Sequence, residues 1–203
     1  MRIIDNFKDY EDVESFNRET TLNDETKLLI VGTLTPPDGS GKYFYSTTLN
    51  SIYGLIDEAL NNGEKLETLK GQFKDYNDSR SNKDEVDSNN KVVRDKIKEY
   101  LKDNKIAFLD VIKYAKRNKR SPDDKKIIVA ELDYGAFEDL INIKRIIANS
   151  KDAKKYLEKI LDKVPNGLIY KDRIIYLPQK RKGFRREDWV EEIRNTLDIK
   201  IFF

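Results

Sequence analysis

The chain contains no cysteine and no histidine among its 203 residues. Without thiols there is no disulfide framework and no thiolate nucleophile. Without imidazole there is no Ser-His or Cys-His couple and no histidine-ligated metal. Chemistry near neutral pH is left to Asp, Glu, Lys, Tyr, Ser, Thr or an ordered water. Long apolar runs are missing too: no segment approaches the roughly 18 apolar residues of a membrane span. The N-terminal Met1-Arg2-Ile3-Ile4-Asp5-Asn6 has no apolar signal core. A soluble, cytoplasmic monomer that needs neither metal nor cofactor is the expectation. An excess of one charge sign is also lacking, since 39 basic and 37 acidic side chains leave a net charge of +2. Affinity for a polyanion therefore has to come from a local patch. The glycine spacing of a dinucleotide fingerprint and the Gly-Lys-Ser/Thr ending of a P-loop are absent, and no internal repeat is present.

What the chain does have is alternation. Four short apolar runs, Lys27–Val31, Lys105–Leu109, Ile143–Ala148 and Arg173–Leu177, are rich in branched residues and each ends in a polar or turn signal. Amphipathic helical segments separate them, at about 48–60, 92–102, 153–161 and 187–197. Strands alternating with helices predict an α/β fold, a three-layer α/β/α arrangement around a central, mostly parallel four-stranded sheet. The length suits one domain over 1–203. Residues 61–91, with Asn77-Asp78-Ser79-Arg80-Ser81-Asn82 and Ser88-Asn89-Asn90, are polar with almost nothing to bury. They read as a surface insertion, or as a lid over the site.

Four places in this pattern can carry chemistry. Gly32-Thr33-Leu34-Thr35-Pro36-Pro37-Asp38 follows the first apolar run. Its glycine lets a ligand approach the backbone, or simply makes a turn, and its prolines stiffen the loop. Tyr43-Phe44-Tyr45 follows; in an extended segment Tyr43 and Tyr45 share one face and Phe44 takes the other. One face can pack the core while the other offers a stacking platform, or all three rings can be core. Asn149 ends the third run, where its carboxamide matches the Watson–Crick edge of a base, although Asn149 or Ser150 equally suits a helix N-cap. Tyr176-Leu177-Pro178 leads into Gln179-Lys180-Arg181-Lys182-Gly183-Phe184-Arg185-Arg186, with five basic residues and no acid. That loop suits phosphates, with Phe184 as a wedge, or is a solvated approach to the last helix.

In this order and spacing, the features resemble the uracil-DNA glycosylase superfamily, nearest to its mismatch-specific and deoxyinosine-type branches. The likeness runs from Lys27 to Leu197. Gly32-Thr33-Leu34-Thr35-Pro36-Pro37 resembles the family's glycine-led first loop, and Tyr45 and Asn50 fall where an aromatic stacks on the flipped base and an Asn follows. Phe108-Leu109-Asp110-Val111-Ile112 is similar to the second-strand motif, Ala148-Asn149-Ser150 to the base-reading third, and Leu177-Pro178 to the minor-groove loop after the fourth. The resemblance implies a metal-independent DNA glycosylase acting on a deaminated or modified base. Gly32, Tyr45, Asn50 and Asn149 would bind the base, and Pro178, Lys180, Arg181, Lys182, Phe184 and Arg185 the DNA. It also implies catalytic work by Thr33, Asp38 or Asp110, Asp110 being alternatively a helix N-cap. The first loop holds Thr33 and Thr35 where family members commonly carry Asp or Asn. A degenerate member that binds nucleic acid, nucleotide or a protein partner is the second expectation.

Overall fold

The computed structural model describes residues 10–34, 43–44, 52–61, 63, 65–74, 83–118, 127–178 and 184–199. Its central sheet contains β2 (Leu28–Gly32), β3 (Ile106–Asp110), β6 (Arg145–Ala148) and β7 (Ile174–Tyr176), in the order β3-β2-β6-β7. All three pairings are parallel. The four expected apolar runs are these four strands.

Central strand β2 reads Leu-Leu-Ile-Val-Gly and is buried at every position, as a parallel strand covered on both faces must be. Leu28 and Ile30 pack with Ile106, Phe108 and Ile147 on one face. This face lies beneath α1 (Ile52–Leu60), α3 (Lys83–Asp103) and α6 (Arg186–Leu197). Leu29 and Val31 pack with Ala107, Leu109 and Ile146 on the other, against α4 (Lys151–Leu161) and α5 (Gly167–Lys171). Alternate side chains of the same strands thus feed two cores, giving the three layers. Each fully buried Leu or Ile of this kind contributes about 1.5–3 kcal/mol.

Two features depart from the sequence expectation. A second, antiparallel sheet, β1-β4-β5, is built from β1 (Tyr10–Glu14), β4 (Ile112–Asn118) and β5 (Ile127–Leu132). It packs Val13, Ile112 and Ala115 into the α4/α5-side core. β1 (YEDVE) and β4 (IKYAKRN) are too charged to read as strands locally, whereas β5 (IIVAEL) is an apolar, branched run that stands outside the four expected ones. Asp12 stands opposite Lys116 in the β1–β4 ladder, and Lys116 Nζ reaches Asp12 Oδ1 at 2.9 Å, so opposite charges 104 residues apart form a cross-strand pair.

The second departure concerns the 61–91 stretch. It contains the short helix α2 (Lys65–Lys70) and the first two turns of the 21-residue α3. Val86, Asn90, Val93, Ile97 and Tyr100 form the buried stripe of α3, at alternating spacings of four and three. The polar member masks the start of this helix in the hydrophobic pattern. Asn90 is 1% exposed, and its carboxamide pairs with the backbone of Lys74, accepting from Lys74 N at 2.9 Å and donating to Lys74 O at 3.0 Å.

Strand β3 lies at the edge of the central sheet, and side chains occupy its outward carbonyls. Thr21 Oγ1 donates to Ile106 O at 2.8 Å, Thr20 Oγ1 to Phe108 O at 2.7 Å, and Asn17 Nδ2 to Asp110 O at 2.8 Å. No helix among the described residues is long and apolar enough to cross a membrane.

Candidate functional site

The sheet register brings three of the candidate residues into one row. Gly32 is paired with Asp110, and Val31 with Ala148, so Asn149 continues the row on the other side of Gly32. Asn149 N donates to Val31 O at 3.0 Å, and Val111 N to Gly32 O at 2.9 Å. Across β7, Leu177 N donates to Ala148 O at 3.1 Å, which extends the row to Leu177 and places Pro178 just beyond it. Ile30, Phe108 and Ile147 face the α1/α3/α6 layer. Two residues further along, Gly32, Asp110 and Asn149 take the same side. With strands about 4.8 Å apart, the Cα atoms of Asp110 and Asn149 are about 10 Å apart, with a residue lacking a side chain between them. The row of side chains is thus notched at Gly32, at the carboxyl end of the sheet, the place where open α/β folds bind ligands. A carboxylate that only accepts stands on one flank, and a carboxamide that donates and accepts on the other. Asp110 is 0% exposed and Asn149 8%.

The local chemistry around the notch is specified by neighbours. Ser150 is the N-cap of α4, accepting from Ala153 N at 2.9 Å. This leaves Asn149 outside the helix, at the end of its strand. The Thr33 and Ser150 hydroxyls lie 3.0 Å apart, tying the chain after β2 to the start of α4. Asp110 is the last residue of β3, followed at once by Val111 and β4, so the N-cap alternative is corrected: no helix starts there. Its backbone is clamped by Asn17, which accepts from Asp110 N at 2.7 Å and donates to Asp110 O. Asn17 also donates to Asp133 Oδ2 at 2.8 Å, and Asp133 Oδ1 accepts from Ala136 N at 3.2 Å. Asn17 and Asp133 had no sequence signal, because their partners are 93 and 116 residues away from Asn17. Ser150, in contrast, stands three residues before an apolar helical position and was legible as a cap.

The described aromatics of the first loop are core. Tyr43 is 1% exposed and Phe44 0%. Phe44 stacks on Phe108 with centroids 5.9 Å apart, and meets Phe16 and Tyr43 edge-on. Of the two readings of this cluster, the core one holds for Tyr43 and Phe44. Tyr43 donates its hydroxyl to Glu19 O at 2.9 Å. Burial, and then the Glu19 carboxylate, raise its pKa far above the ordinary phenol range, so it is no acid–base group at neutral pH. Because Phe108 precedes Asp110 by two residues on the same face, Phe44 lies beside the notch.

At the far end of the row, Pro178 O accepts from Trp189 Nε1 at 3.2 Å. Phe184 is half-buried and packs against the α1/α3/α6-side core. Arg185 is the exposed residue before α6, 3.5 Å from Asp188. Asp38, Tyr45, Asn50, Lys180, Arg181 and Lys182 lie outside the described residues. A cavity between α1 and α6, lined by Glu58, Val190 and Arg194 among others, includes none of the row.

The fold is shared with a solved structure. The solution NMR structure of a "putative Uracil DNA glycosylase" from Methanosarcina acetivorans is similar over 92% of this chain and 99% of that one, with a TM-score of 0.59 and 22% identity. No family model and no curated protein matches the sequence. At this identity the likeness carries the fold. The chemistry has to be argued from the notch.

Proposed function

We propose that the chain is a single-domain DNA glycosylase that hydrolyses the N-glycosidic bond of a deaminated or modified base flipped out of DNA. The observation that carries this reading is the row of Asp110, Gly32 and Asn149 on one face of three adjacent strands. A flipped base lies over Gly32, which has no side chain of its own, and the Asn149 carboxamide reads its edge. Tyr45 stacks on its face, and Asn50 completes the base-binding set. Water attacks C1′ as the C1′–N bond breaks, and the bonding pair leaves with the base. Asp110 orients that water and takes its proton, with Thr33 and Asp38 as the remaining catalytic candidates. Backbone N–H groups of the loop that follows Gly32, beginning at Thr33, stabilise the departing anion. Pro178, Lys180, Arg181, Lys182, Phe184 and Arg185 hold the DNA.

A second reading is favoured by one observation, the complete burial of Asp110: a chain of this fold that binds nucleic acid, nucleotide or a protein partner without hydrolysis. One assay separates the two. Oligonucleotides carrying uracil, hypoxanthine, xanthine or a bulky modified pyrimidine are incubated with protein and then cleaved at abasic sites with alkali. The glycosylase reading expects cleavage of at least one substrate, and a loss of 100-fold or more, about 2.7 kcal/mol, in Asn149→Ala. No cleavage above that variant on any substrate overturns it; DNA binding that persists without cleavage supports the second.

A further inference from the structure

Helix α4 starts one residue beyond the row and runs away from it along the opposite face of the sheet. Its exposed side carries Lys151, Lys155 and Lys159, with Lys163 one turn further on, all exposed. The repeat of four residues places successive ammonium groups about 6 Å apart along the helix. Neighbouring acids are largely taken by other cations. Glu158 pairs with Lys154 at 3.8 Å, and Asp162 pairs with Lys171. Among the described residues the four lysines make no ion pair, and Asp152 is the acid of α4 left beside them. The face is also aromatic. Lys155 and Lys159 flank the half-buried Tyr156 ring at 6.0 and 5.6 Å, and Lys163 lies 5.4 Å from the Tyr134 ring.

We infer that this face of α4 is a nucleic-acid strand surface, which takes the sugar-phosphate backbone leaving the notch. A chain with a net charge of only +2 attracts a polyanion where cations are left unneutralised, and this stripe is such a place. Interleaved lysines and tyrosine rings suit a flexible single strand, whose phosphates meet ammonium groups while a base covers a ring. The stripe begins next to Ser150, whose hydroxyl touches Thr33, so it is continuous with the candidate site. The competing occupant is an anionic membrane surface, since α5 beside the stripe exposes Leu168 and Ile169, and the test below separates the two.

The inference deepens the glycosylase reading, but its test needs no cleavage, so failure of one is distinguishable from failure of the other. Binding of a labelled, unmodified oligothymidylate is followed by fluorescence anisotropy across a salt series. We expect salt-sensitive binding by the natural chain. In the fourfold variant Lys151→Gln, Lys155→Gln, Lys159→Gln, Lys163→Gln the affinity falls tenfold or more. The slope of log affinity against log salt also flattens by about 2–3, from about 0.7 per phosphate contact on single strands. The matching fourfold Lys→Arg variant retains binding, because charge and not shape is used. Circular dichroism confirms that both variants are folded, as expected for exposed positions. Absence of binding by the natural chain, equal affinity of the Gln variant, or loss of binding to anionic vesicles in place of the oligonucleotide each overturns the inference.

Discussion

Asn17 concentrates more of the site's integrity than any residue the sequence pointed to. Its carboxamide makes three hydrogen bonds of 2.7 to 2.8 Å, two to the backbone of Asp110 and one to the Asp133 carboxylate, at a position 6% exposed. Truncation leaves a buried N–H, a carbonyl and a carboxylate oxygen each short of a partner, at a cost of 1–3 kcal/mol for a neutral group and more for a charged one. Asn17→Ala is therefore expected to lower unfolding stability by about 2–4 kcal/mol, read as a shift in urea midpoint. A change under about 0.5 kcal/mol, the scale of an ordinary surface substitution, shows that the clamp does not hold Asp110. Asn17→Asp is no rescue, because an ionised carboxylate cannot donate to Asp133 and sets two like charges together.

Among the elements, α2 is held by a side chain from another helix. Asp57 of α1 accepts from Leu66 N and Glu67 N, both at 3.0 Å, so one carboxylate satisfies two amides in the first turn of α2. Asp57 is 3% exposed. Burial raises its pKa above the ordinary 3.8 and outweighs the two amide hydrogen bonds. The folded chain then binds this proton more tightly than the unfolded chain. The associated stability is fully present below pH 3.8 and is lost as pH rises through the folded-state pKa. Asp57→Asn cannot titrate, so the difference between variant and natural urea midpoints should move in the variant's favour between pH 3 and 7. A difference that stays flat over that range contradicts the assignment.

The elements also show what a local reading of sequence can reach. Strand β2 was legible because five consecutive apolar or small residues leave nothing for solvent, and α4 because Ala153, Leu157 and Ile160 recur at helical spacing. β1 was not legible, since Tyr-Glu-Asp-Val-Glu becomes a strand only when the cations of β4 stand opposite. The first turns of α3 were hidden because one of their two buried positions, Asn90, is polar and pairs with the backbone of Lys74. In the site, Gly32 and Asn149 announced themselves at strand ends, whereas Asn17 is defined by contacts about half the chain away. Local periodicity reports burial; it is blind to polar groups whose partners are distant.

At the scale of the whole molecule, two cores share one sheet. β2, β3 and β6 supply side chains to both clusters, so neither face can lose its packing without exposing strands that the other needs. Trp189, the sole tryptophan, is 0% exposed in the α1/α3/α6-side cluster. Its fluorescence reports that face alone, while amide exchange at Leu157 reports the other. A single domain predicts one urea transition, with tryptophan fluorescence and far-UV ellipticity coincident and Leu157 exchanging with the same free energy. Separate midpoints mean two independently folding layers.

The threonine and asparagine hydrogen bonds along β3 have a further consequence, for how copies of this chain meet in a crowded solution. An edge strand with vacant carbonyls is a template on which another chain can zip, and it is the usual seed of sheet-to-sheet aggregation. Here Ile106, Phe108 and Asp110 have their carbonyls occupied by hydroxyls and an amide from a segment of different shape. An incoming strand would have to displace these bonds to pair with the carbonyls. Without a single proline or lysine on β3 itself, this apolar edge is guarded against its own kind.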